Sequence, residues 1–354
     1  MKASLALVLY SSLFSSGSSF SVSTSQRSSS SSVGRIVSLP AVSSPPSKDT
    51  TDTQNENDRG GRTIYSMPAL YDLAFGYRNY EEEVEFLIEQ HQLLHDGKAP
   101  QRVLELAAGP ARHCLTALQQ SYVPAATALD VSSEMKEYAL ELAEEEVKDV
   151  TALEYVTADM TNFVLDTRFD SAWILLGSLQ HLTTNEQVFS CLHCIHNVLE
   201  KDGTLIVELP HPREIFSLVE CTRNGWEIPL EDEDGNTSGE LKIVWGDDND
   251  DFDPIRQVRQ FTISMELIEN NKDGDDDTKS TKSSRLGTIH SVREVVPMRH
   301  FTSQEMDVLA RISGFEVVSL HGALARGVDV NDDDEAFRLV CVLQKKKGRK
   351  KSLN

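Results

Sequence analysis

The sequence has few cysteines, a deficit of basic residues and no long apolar run. Its five cysteines are odd in number and scattered, which excludes a disulfide framework. Because no apolar stretch reaches the roughly 18 residues that a membrane-spanning helix needs, we expect no stable membrane insertion. Lys and Arg number 34 against 56 Asp and Glu, and the formal net charge of -22 argues against nucleic-acid binding, since phosphate contacts need a basic surface. We therefore expect a neutral or cationic small molecule as the partner.

A run of cysteine and histidine, CLHCIH at residues 191–196, suggests a zinc site at first sight. We predict a helix for this run. On a helix, Cys191, Cys194 and His196 do not converge with His193 on one ion. Zinc sites also usually draw their ligands from two elements. The sequence therefore predicts no metal site.

The first 62 residues have the composition of a leader. Residues 1–19 combine a basic start, a short apolar core and small residues, as in a secretory signal peptide. Residues 20–62 are rich in serine, and no acidic residue among them precedes Asp49, as in a transit peptide or a disordered linker. The pair resembles the two-part plastid leaders of algae with complex plastids. A secreted protein is the alternative, but a secreted domain would more often pair its cysteines.

The stretch QRVLELAAGPARH, residues 101–113, organises the rest of the chain. The apolar residues around Leu104 form a short run that is typical of a buried parallel strand, and Gly109 and Pro110 interrupt it. Apolar residues at helical spacing follow from Cys114 onward. A turn between a strand and a helix directs free backbone N–H groups and the positive end of the helix dipole toward a ligand. The sequence therefore predicts a ligand site at this turn.

Glu105, Ala107, Gly109 and Ala111 occupy every second position in this turn. The pattern resembles the first motif of class I S-adenosylmethionine-dependent methyltransferases, an acidic residue and three alternate glycines, with the outer glycines replaced by alanine. The resemblance implies that these four residues bind S-adenosylmethionine and that alanine, the smallest change, is tolerated. An α/β turn without a ligand is one alternative. The dehydrogenase glycine fingerprint is another, but Arg112 stands at its third glycine.

Acidic residues also end the next two predicted strands. Asp130 closes the run AATALD, 21 residues after Gly109. In nucleotide-binding α/β units, a carboxylate about 20 residues on accepts hydrogen bonds from ribose hydroxyls, which is the role we assign to Asp130. A helix N-cap is the alternative, although Ser132 is available for capping. The resemblance further implies that Asp159 and Met160 contact the adenine, while an aspartate in this place is also a common turn residue.

Tyrosines cluster ahead of the first strand. The phrase YDLAFGYRNYEEEVEFL resembles the segment that closes over the methionine end of the cofactor in small-molecule methyltransferases. The resemblance makes Tyr65, Tyr71 and Tyr77 candidates for this lid. Aromatic packing under a loop is the alternative.

The run LLGSLQHL follows the predicted fourth strand. It resembles the loop of small-molecule methyltransferases that passes under the sulfonium and faces the substrate. We assign Leu176 to cofactor binding and His181 to general-base catalysis, because the ordinary pKa of histidine lies near neutrality. A purely structural histidine is the alternative, and His211 is a second candidate base.

Strands and helices alternate over residues 63–230, and a helix and two further strands follow over residues 301–344. Five such alternations imply a parallel sheet with helices on both faces and ligands at the carboxyl ends of the strands. The resemblance implies an α/β fold with a doubly wound, seven-stranded, Rossmann-like methyltransferase sheet, in which the seventh strand runs antiparallel between the fifth and the sixth.

A different pattern separates these two parts of the core. Residues 231–300 contain alternating apolar residues between acidic loops, which is typical of antiparallel strands. We expect a small antiparallel lid inserted after strand five, with three strands over about residues 241–298 and an acidic loop at 271–284. Residues 345–354 form a basic tail, which we interpret as a solvated end.

We therefore expect an enzyme that transfers a methyl group from S-adenosylmethionine to a small-molecule acceptor. The cofactor already carries a reactive methyl group, so the protein has to align the reactants and exclude water. An NAD-dependent oxidoreductase and a non-catalytic binding or assembly protein on the same fold are the alternatives. The sequence identifies neither the acceptor nor the oligomeric state.

Overall fold

The structure is a computed structural model that describes residues 63–213, 224–231, 237–269 and 291–346. The predicted signal peptide, the serine-rich segment up to residue 62, the acidic loop at 271–284 and the tail beyond residue 346 lie outside the described residues. Among the residues that are described, no helix is long and apolar enough to span a membrane.

The helices of the described part, in chain order, are α1 (Pro68–Phe75), α2 (Tyr80–Leu94), α3 (Arg112–Gln119), α4 (Ser133–Glu146), α5 (Asn185–Val198) and α6 (Ser303–Ile312). Short 3-10 turns cover Ile64–Ser66, Val150–Ala152 and Ser178–His181. The strands are β1 (Arg102–Leu106), β2 (Ala125–Asp130), β3 (Leu153–Thr157), β4 (Phe169–Ile174), β5 (Leu199–Pro210), β6 (Asn224–Glu231), β7 (Thr237–Trp245), β8 (Phe252–Asp253), β9 (Val258–Glu269), β10 (Ser291–Arg299), β11 (Phe315–His321) and β12 (Arg338–Lys345).

In the described part of the chain, the larger sheet has seven strands in the order β11-β12-β5-β4-β1-β2-β3. Strands β1 to β5 run parallel, whereas β12 pairs antiparallel with both β5 and β11. The predicted seven-stranded sheet, with its last strand between the fifth and the sixth, is confirmed. Leu106 pairs with Leu129 on one side and Ile174 on the other, so β1, β2 and β4 end at the same edge.

Both faces of this sheet are covered. Val103 and Ala126 pack in one apolar cluster with residues of α2, α3 and α4. Leu104 and Leu129 pack in a second cluster with residues of α5 and α6. Because successive side chains of a strand point to opposite faces, helices on both sides are needed to bury them. The seven-stranded sheet is therefore doubly wound, with helices on both of its faces.

The helix starts agree with the capping residues of the sequence. Thr184 and Thr302 begin α5 and α6 with capping boxes. Ser132 begins α4, and its hydroxyl accepts the Met135 N–H. Asp130 is therefore not the cap of α4, which leaves its carboxylate for another role.

The second sheet is antiparallel and lies after β5 in the chain, as predicted. The expected three strands from about residue 241 are wrong, because the described residues form five strands that begin at Asn224. The overlooked strand β6 contains Pro229, which argues against a central strand. It forms one edge of the sheet, where a residue without an N–H is tolerated.

This second sheet, hereafter the lid, packs on the segment before β1. Leu241 and Ile263 of the lid share an apolar cluster with Ile64 and with Leu70 of α1. The indole N–H of Trp226 donates to the carbonyl of Ala74 at 2.9 Å. The lid thereby fixes α1 and the 3-10 turn that precedes it.

Candidate cofactor-binding site

The turn after β1 is left-handed at three alternate residues. Ala107 has a φ of 50°, Gly109 of 52° and Ala111 of 56°. A residue with a Cβ in this conformation is strained by about 1–2 kcal/mol relative to glycine. The glycine pattern of the motif therefore reflects backbone conformation, and the two alanines of this chain adopt it at a cost in stability.

Two polar side chains, from β2 and β3, hold the centre of the turn. The Oδ2 atom of Asp130 accepts the Gly109 N–H at 2.8 Å, and its Oδ1 atom accepts the Ser132 N–H at 2.9 Å. The hydroxyl of Tyr155 donates to the Gly109 carbonyl at 2.6 Å. Burial raises the pKa of Asp130, while its hydrogen bonds from backbone N–H groups oppose this shift. The turn and Asp130 are therefore in contact, as the sequence predicted.

Glu105 is buried and forms part of an ionic chain at the start of α3. Its carboxylate accepts the Cys114 N–H at 3.1 Å and lies 3.2 Å from the Nδ1 atom of His113. The Nε2 atom of His113 lies 2.8 Å from Glu83. Burial lowers the pKa of His113, but the two carboxylates outweigh it and raise this pKa to about 9. His113 is therefore an imidazolium ion at neutral pH that donates to both glutamates.

Aromatic side chains from α1 and the turn before it cover the motif. A Cβ built on Gly109 would lie 3.8 Å from the ring of Tyr71, and the rings of Tyr71 and Tyr65 are 5.8 Å apart. Tyr77 is half exposed and its ring lies 6.2 Å from that of Trp226 in the lid. The structure therefore brings Tyr65 and Tyr71 to the site, but not Tyr77.

Ionic contacts attach α1 to the core. The Nε atom of Arg112 donates to Asp72 of α1 at 2.7 Å, and its Nη1 atom donates to Glu146 of α4 at 2.9 Å. The hydroxyl of Tyr138 donates to the same Asp72 at 2.9 Å. Arg112, the residue that disfavoured the dehydrogenase motif, thus positions the helix that carries Tyr71.

Between the turn and α1 lies a crevice of about 400 Å³, its mouth included. Its walls come from α1, the turn after β1, the start of α3 and the segment after β4. The lining residues are Tyr71, Asp72, Phe75, Tyr80, Glu105, Ala107, Ala108, Gly109, Pro110, Arg112, His113, Leu175, Leu176 and Ser178. Tyr71, Glu105, Ala107, Gly109 and Leu176 are therefore brought together as predicted.

Four other predicted cofactor residues, Asp130, Ala111, Asp159 and Met160, lie outside this lining. Asp130 is in contact with it, because it accepts the N–H of the lining residue Gly109 at 2.8 Å. Ala111 is fully buried in the core beneath the turn. Asp159 is exposed, and its Oδ1 atom accepts the N–H of Thr161 at 2.7 Å, which closes the turn after β3. Met160 follows it and packs at the edge of the core. The adenine contact of Asp159 and Met160 stays a prediction.

The candidate base His181 ends the 3-10 turn after β4. Its Nε2 atom lies 3.2 Å from the hydroxyl of Tyr65, and burial lowers its pKa. The imidazole is therefore neutral at physiological pH, which suits a proton acceptor. In His211, the Nδ1 atom accepts the Arg213 N–H and the Nε2 atom lies 2.9 Å from the Val330 carbonyl, so both nitrogens have structural partners.

Several residues of the site were not predicted from the sequence. Asp72, Tyr80 and His113 line the crevice, and Tyr155 holds the turn from below. Asp72 directly follows Tyr71 and His113 comes two residues after Ala111, both of which were assigned, so these positions were a usable signal. The partner of Tyr155 depends on the packing of β3 and has no sequence signal. In the described residues, no cluster of His, Cys, Asp or Glu is arranged to hold a metal ion.

Comparisons with known proteins identify one domain of the chain and its fold. Residues 103–203 match a family model described as a methyltransferase domain. No curated protein matches the sequence significantly. An S-adenosylmethionine-dependent methyltransferase from Clostridium acetobutylicum superimposes with a TM-score of 0.58 at 14% identity, covering 79% of this chain and 97% of that chain.

Two further solved structures share the fold. The amino pentose methyltransferase CalS10 from Micromonospora echinaspora has a TM-score of 0.56 at 15% identity, covering 80% of this chain and 98% of that chain. The sugar N-methyltransferase KedS8 from Streptoalloteichus has a TM-score of 0.57 at 16% identity, covering 88% of this chain and 100% of that chain. Residues 103–203 are therefore a methyltransferase domain, and the chain has the fold of solved S-adenosylmethionine-dependent methyltransferases.

Proposed function

We propose that the chain transfers the methyl group of S-adenosylmethionine to an amine of a small-molecule acceptor. The observation that carries this proposal is the continuity of one crevice. It runs from the left-handed turn at Gly109 to the segment after β4 at Ser178, and that segment leads directly to His181. This continuity supports a ligand that contacts the cofactor motif and extends toward the candidate base, which lies three residues beyond the lining residue Ser178.

The residues at the turn fit an adenosyl cofactor. Asp130 is half buried at the end of β2, and each of its oxygens retains a lone pair beyond the backbone hydrogen bond that it accepts. Such a carboxylate suits a ribose diol, and charged hydrogen bonds contribute about 1.5–3 kcal/mol each. Gly109 and Ala107 would lie along the methionine end, with Tyr71 excluding water above them.

S-adenosylmethionine supplies a methyl group that is already activated on a sulfonium, so no nucleophilic side chain is required. The task of the chain is to align the acceptor and to remove its proton. The neutral imidazole of His181 takes the proton of an ammonium group, and the hydroxyl of Tyr65 orients that imidazole through their contact at 3.2 Å. We therefore assign Tyr65 and His181 to the binding of the acceptor, beside the crevice.

The charges around Tyr65 favour a cationic acceptor. Burial raises the pKa of Tyr65 well above its ordinary value, and the neighbouring Tyr71, Glu294 of the lid and Asp130 raise it further. Glu294 accepts the Ile64 N–H at 3.0 Å, so it is fixed beside this residue. An amine carries positive charge and suits such surroundings. CalS10 and KedS8, which share the fold, act on sugar substrates according to their names, which supports an amino sugar as the first acceptor to test.

The test is a transfer assay with radiolabelled methyl groups on the purified chain. Amino sugars, simple amines and the corresponding hydroxyl compounds serve as acceptors. Label should appear in the amine products and on nitrogen by mass spectrometry. Transfer to the hydroxyl compounds alone, or cofactor binding without transfer to any acceptor, would contradict the proposal.

We further propose that residues 1–62 direct the protein to a plastid. The order of an apolar signal segment and a serine-rich segment supports this. A fusion of residues 1–62 to a fluorescent protein, expressed in an alga with a complex plastid, should accumulate in that plastid. Fluorescence in the medium would instead support secretion.

A further inference from the structure

The segment after β4 contains a second left-handed turn. Leu176 has a φ of 53° and Gly177 of 72°. A leucine in this conformation is strained, and such a residue persists only where the surroundings hold it. Both Leu176 and Ser178 contribute to the wall of the crevice, so the shape of this turn decides the shape of the site.

A buried carboxylate on β5 holds this turn from the core side. The Oε2 atom of Glu208 accepts the Leu176 N–H at 2.7 Å. The backbone carbonyl of Glu208 also accepts the Gly177 N–H at 3.2 Å. One residue of the neighbouring strand thus binds both left-handed positions.

Two arginines keep this carboxylate charged. The Nη2 atom of Arg78 donates to both oxygens of Glu208 at 3.0 and 3.2 Å, and the Nε atom of Arg338 donates to Oε1 at 3.1 Å. The side chain of Glu208 is only 1% exposed. Burial raises the pKa of Glu208, but the charges of both arginines outweigh it and lower this pKa to about 2. The acceptor for the Leu176 N–H is therefore ionised throughout the physiological range.

The lid holds the same segment from the other side. The amide nitrogen of Gln180 donates to the carbonyl of Arg299 at the end of β10 at 3.1 Å. His181 comes next and meets Tyr65. The candidate base is therefore placed by a short segment that is anchored at Glu208 on one side and at the lid on the other.

We propose that Glu208 is a positioning residue for methyl transfer, which fixes the left-handed turn through the Leu176 N–H and thereby keeps His181 beside Tyr65. The importance of this placement for catalysis rests on the proposed function. The placement of His181 itself can be measured without turnover, so the two can fail separately.

The main test replaces Glu208→Leu, which removes the acceptor, and compares it with Glu208→Gln, which retains one oxygen. The imidazole signals of His181 are followed by NMR as a function of pH, and kcat and the KM for S-adenosylmethionine are measured on the full chain. In Glu208→Leu, the pKa of His181 should rise toward its ordinary 6.5 as the segment opens to water. The kcat should fall roughly 100-fold with little change in KM, since a small misplacement of a catalytic group has an effect of this size. Glu208→Gln should lie between Glu208→Leu and the wild type in both readouts.

Two further variants separate positioning from stability. Gly177→Ala leaves Glu208 and its arginines intact, but its Cβ would lie 2.9 Å from the Oε1 atom of Gln180, at a φ that strains alanine. It should reproduce the shift of the His181 pKa and the loss of kcat, even where Glu208→Leu does not fold. Thr204→Val, also on β5, removes a buried contact of 3.0 Å with His91 far from the turn. It should lower the melting temperature and leave His181 and kcat unchanged.

A folded Glu208→Leu, or a folded Gly177→Ala, that retains the His181 titration of the wild type would overturn the positioning role. If the His181 titration changes in the variants but the wild type transfers no methyl group, the positioning role is supported and the proposed function is contradicted. An equal shift of the His181 pKa in Thr204→Val would also overturn the proposal, because the effect would then follow from loss of stability alone.

Discussion

The turns after β1 and β4 are built in the same way and differ in what they leave open. Each is left-handed, and each is held by a carboxylate at the end of the neighbouring strand, Asp130 for Gly109 and Glu208 for Leu176. Asp130 is half buried and is held by backbone N–H groups. Glu208 is buried and is held by two arginines as well.

This difference is the reason for proposing that Asp130 binds the ligand and that Glu208 positions the turn. In the proposed function, the lone pairs of Asp130 that Gly109 and Ser132 do not use would accept hydrogen bonds from the ribose. The lone pairs of Glu208 accept hydrogen bonds from guanidinium groups, so few of them remain for a ligand. Two acidic residues with the same local task therefore have different consequences for the reaction, and the predictions below test this contrast.

The largest effect on activity is expected at His181, in the segment after β4. His181→Gln removes the proton acceptor, and general-base catalysis contributes roughly 100- to 10,000-fold to a rate. The kcat should fall within that range, while calorimetry should find unchanged affinity for S-adenosylmethionine. His193→Gln, an exposed histidine on α5, is the matched control and should retain full activity. Equal activities of the two variants would remove His181 from the mechanism.

The turn after β1 should respond in binding rather than in turnover. Asp130→Ala removes the charged acceptor, and affinity for S-adenosylmethionine should fall roughly 10- to 100-fold. Asp149→Ala is the control, because Asp149 is an exposed carboxylate that accepts the Thr151 N–H at 3.1 Å in a remote turn. Calorimetry that finds the same affinity in both variants would reject the ribose role of Asp130.

The ionic chain beside the β1 turn predicts a dependence of stability on pH. The pKa of His113 is raised from 6.5 to about 9, so its contribution is fully present below pH 6.5 and is lost as the pH rises through 9. The melting temperature should therefore fall between these two values. In His113→Gln the fall should be smaller. A melting temperature that rises over the same range would contradict the charged state of His113.

The smallest effects concern the strain of the alanines. Ala107→Gly relieves a left-handed alanine, which is partly offset by the flexibility of glycine, so unfolding free energy should rise by up to about 1 kcal/mol. Gly109→Ala creates the same strain and should lower the unfolding free energy by about 1 kcal/mol. Urea denaturation measures both. If each change in unfolding free energy has the opposite sign, packing rather than backbone conformation determines the stability effect at these positions.

The sequence was informative where local chemistry decides. The apolar run at β1, the alternate small residues after it and the carboxylate of Asp130 predicted the strand, the turn and their proximity. The capping boxes at Thr184 and Thr302 likewise coincide with the starts of α5 and α6. Each of these signals lies within a few residues of the feature that it predicts.

Features that depend on tertiary packing were missed. The edge strand β6 was not predicted; it contains Pro229, which the sheet tolerates because β6 lies at its edge. The turn at Leu176 carries a leucine where glycine would have been the signal, and its stabilising partner Glu208 is 32 residues away. Arg78 and Arg338, which keep Glu208 ionised, come from opposite ends of the described chain.

The most direct measurement is the binding of S-adenosylmethionine and of NAD to the unmodified protein by calorimetry. S-adenosylmethionine should bind at one site per chain, and NAD should show no heat of binding at the same concentrations. Saturable binding of NAD without binding of S-adenosylmethionine would contradict the account.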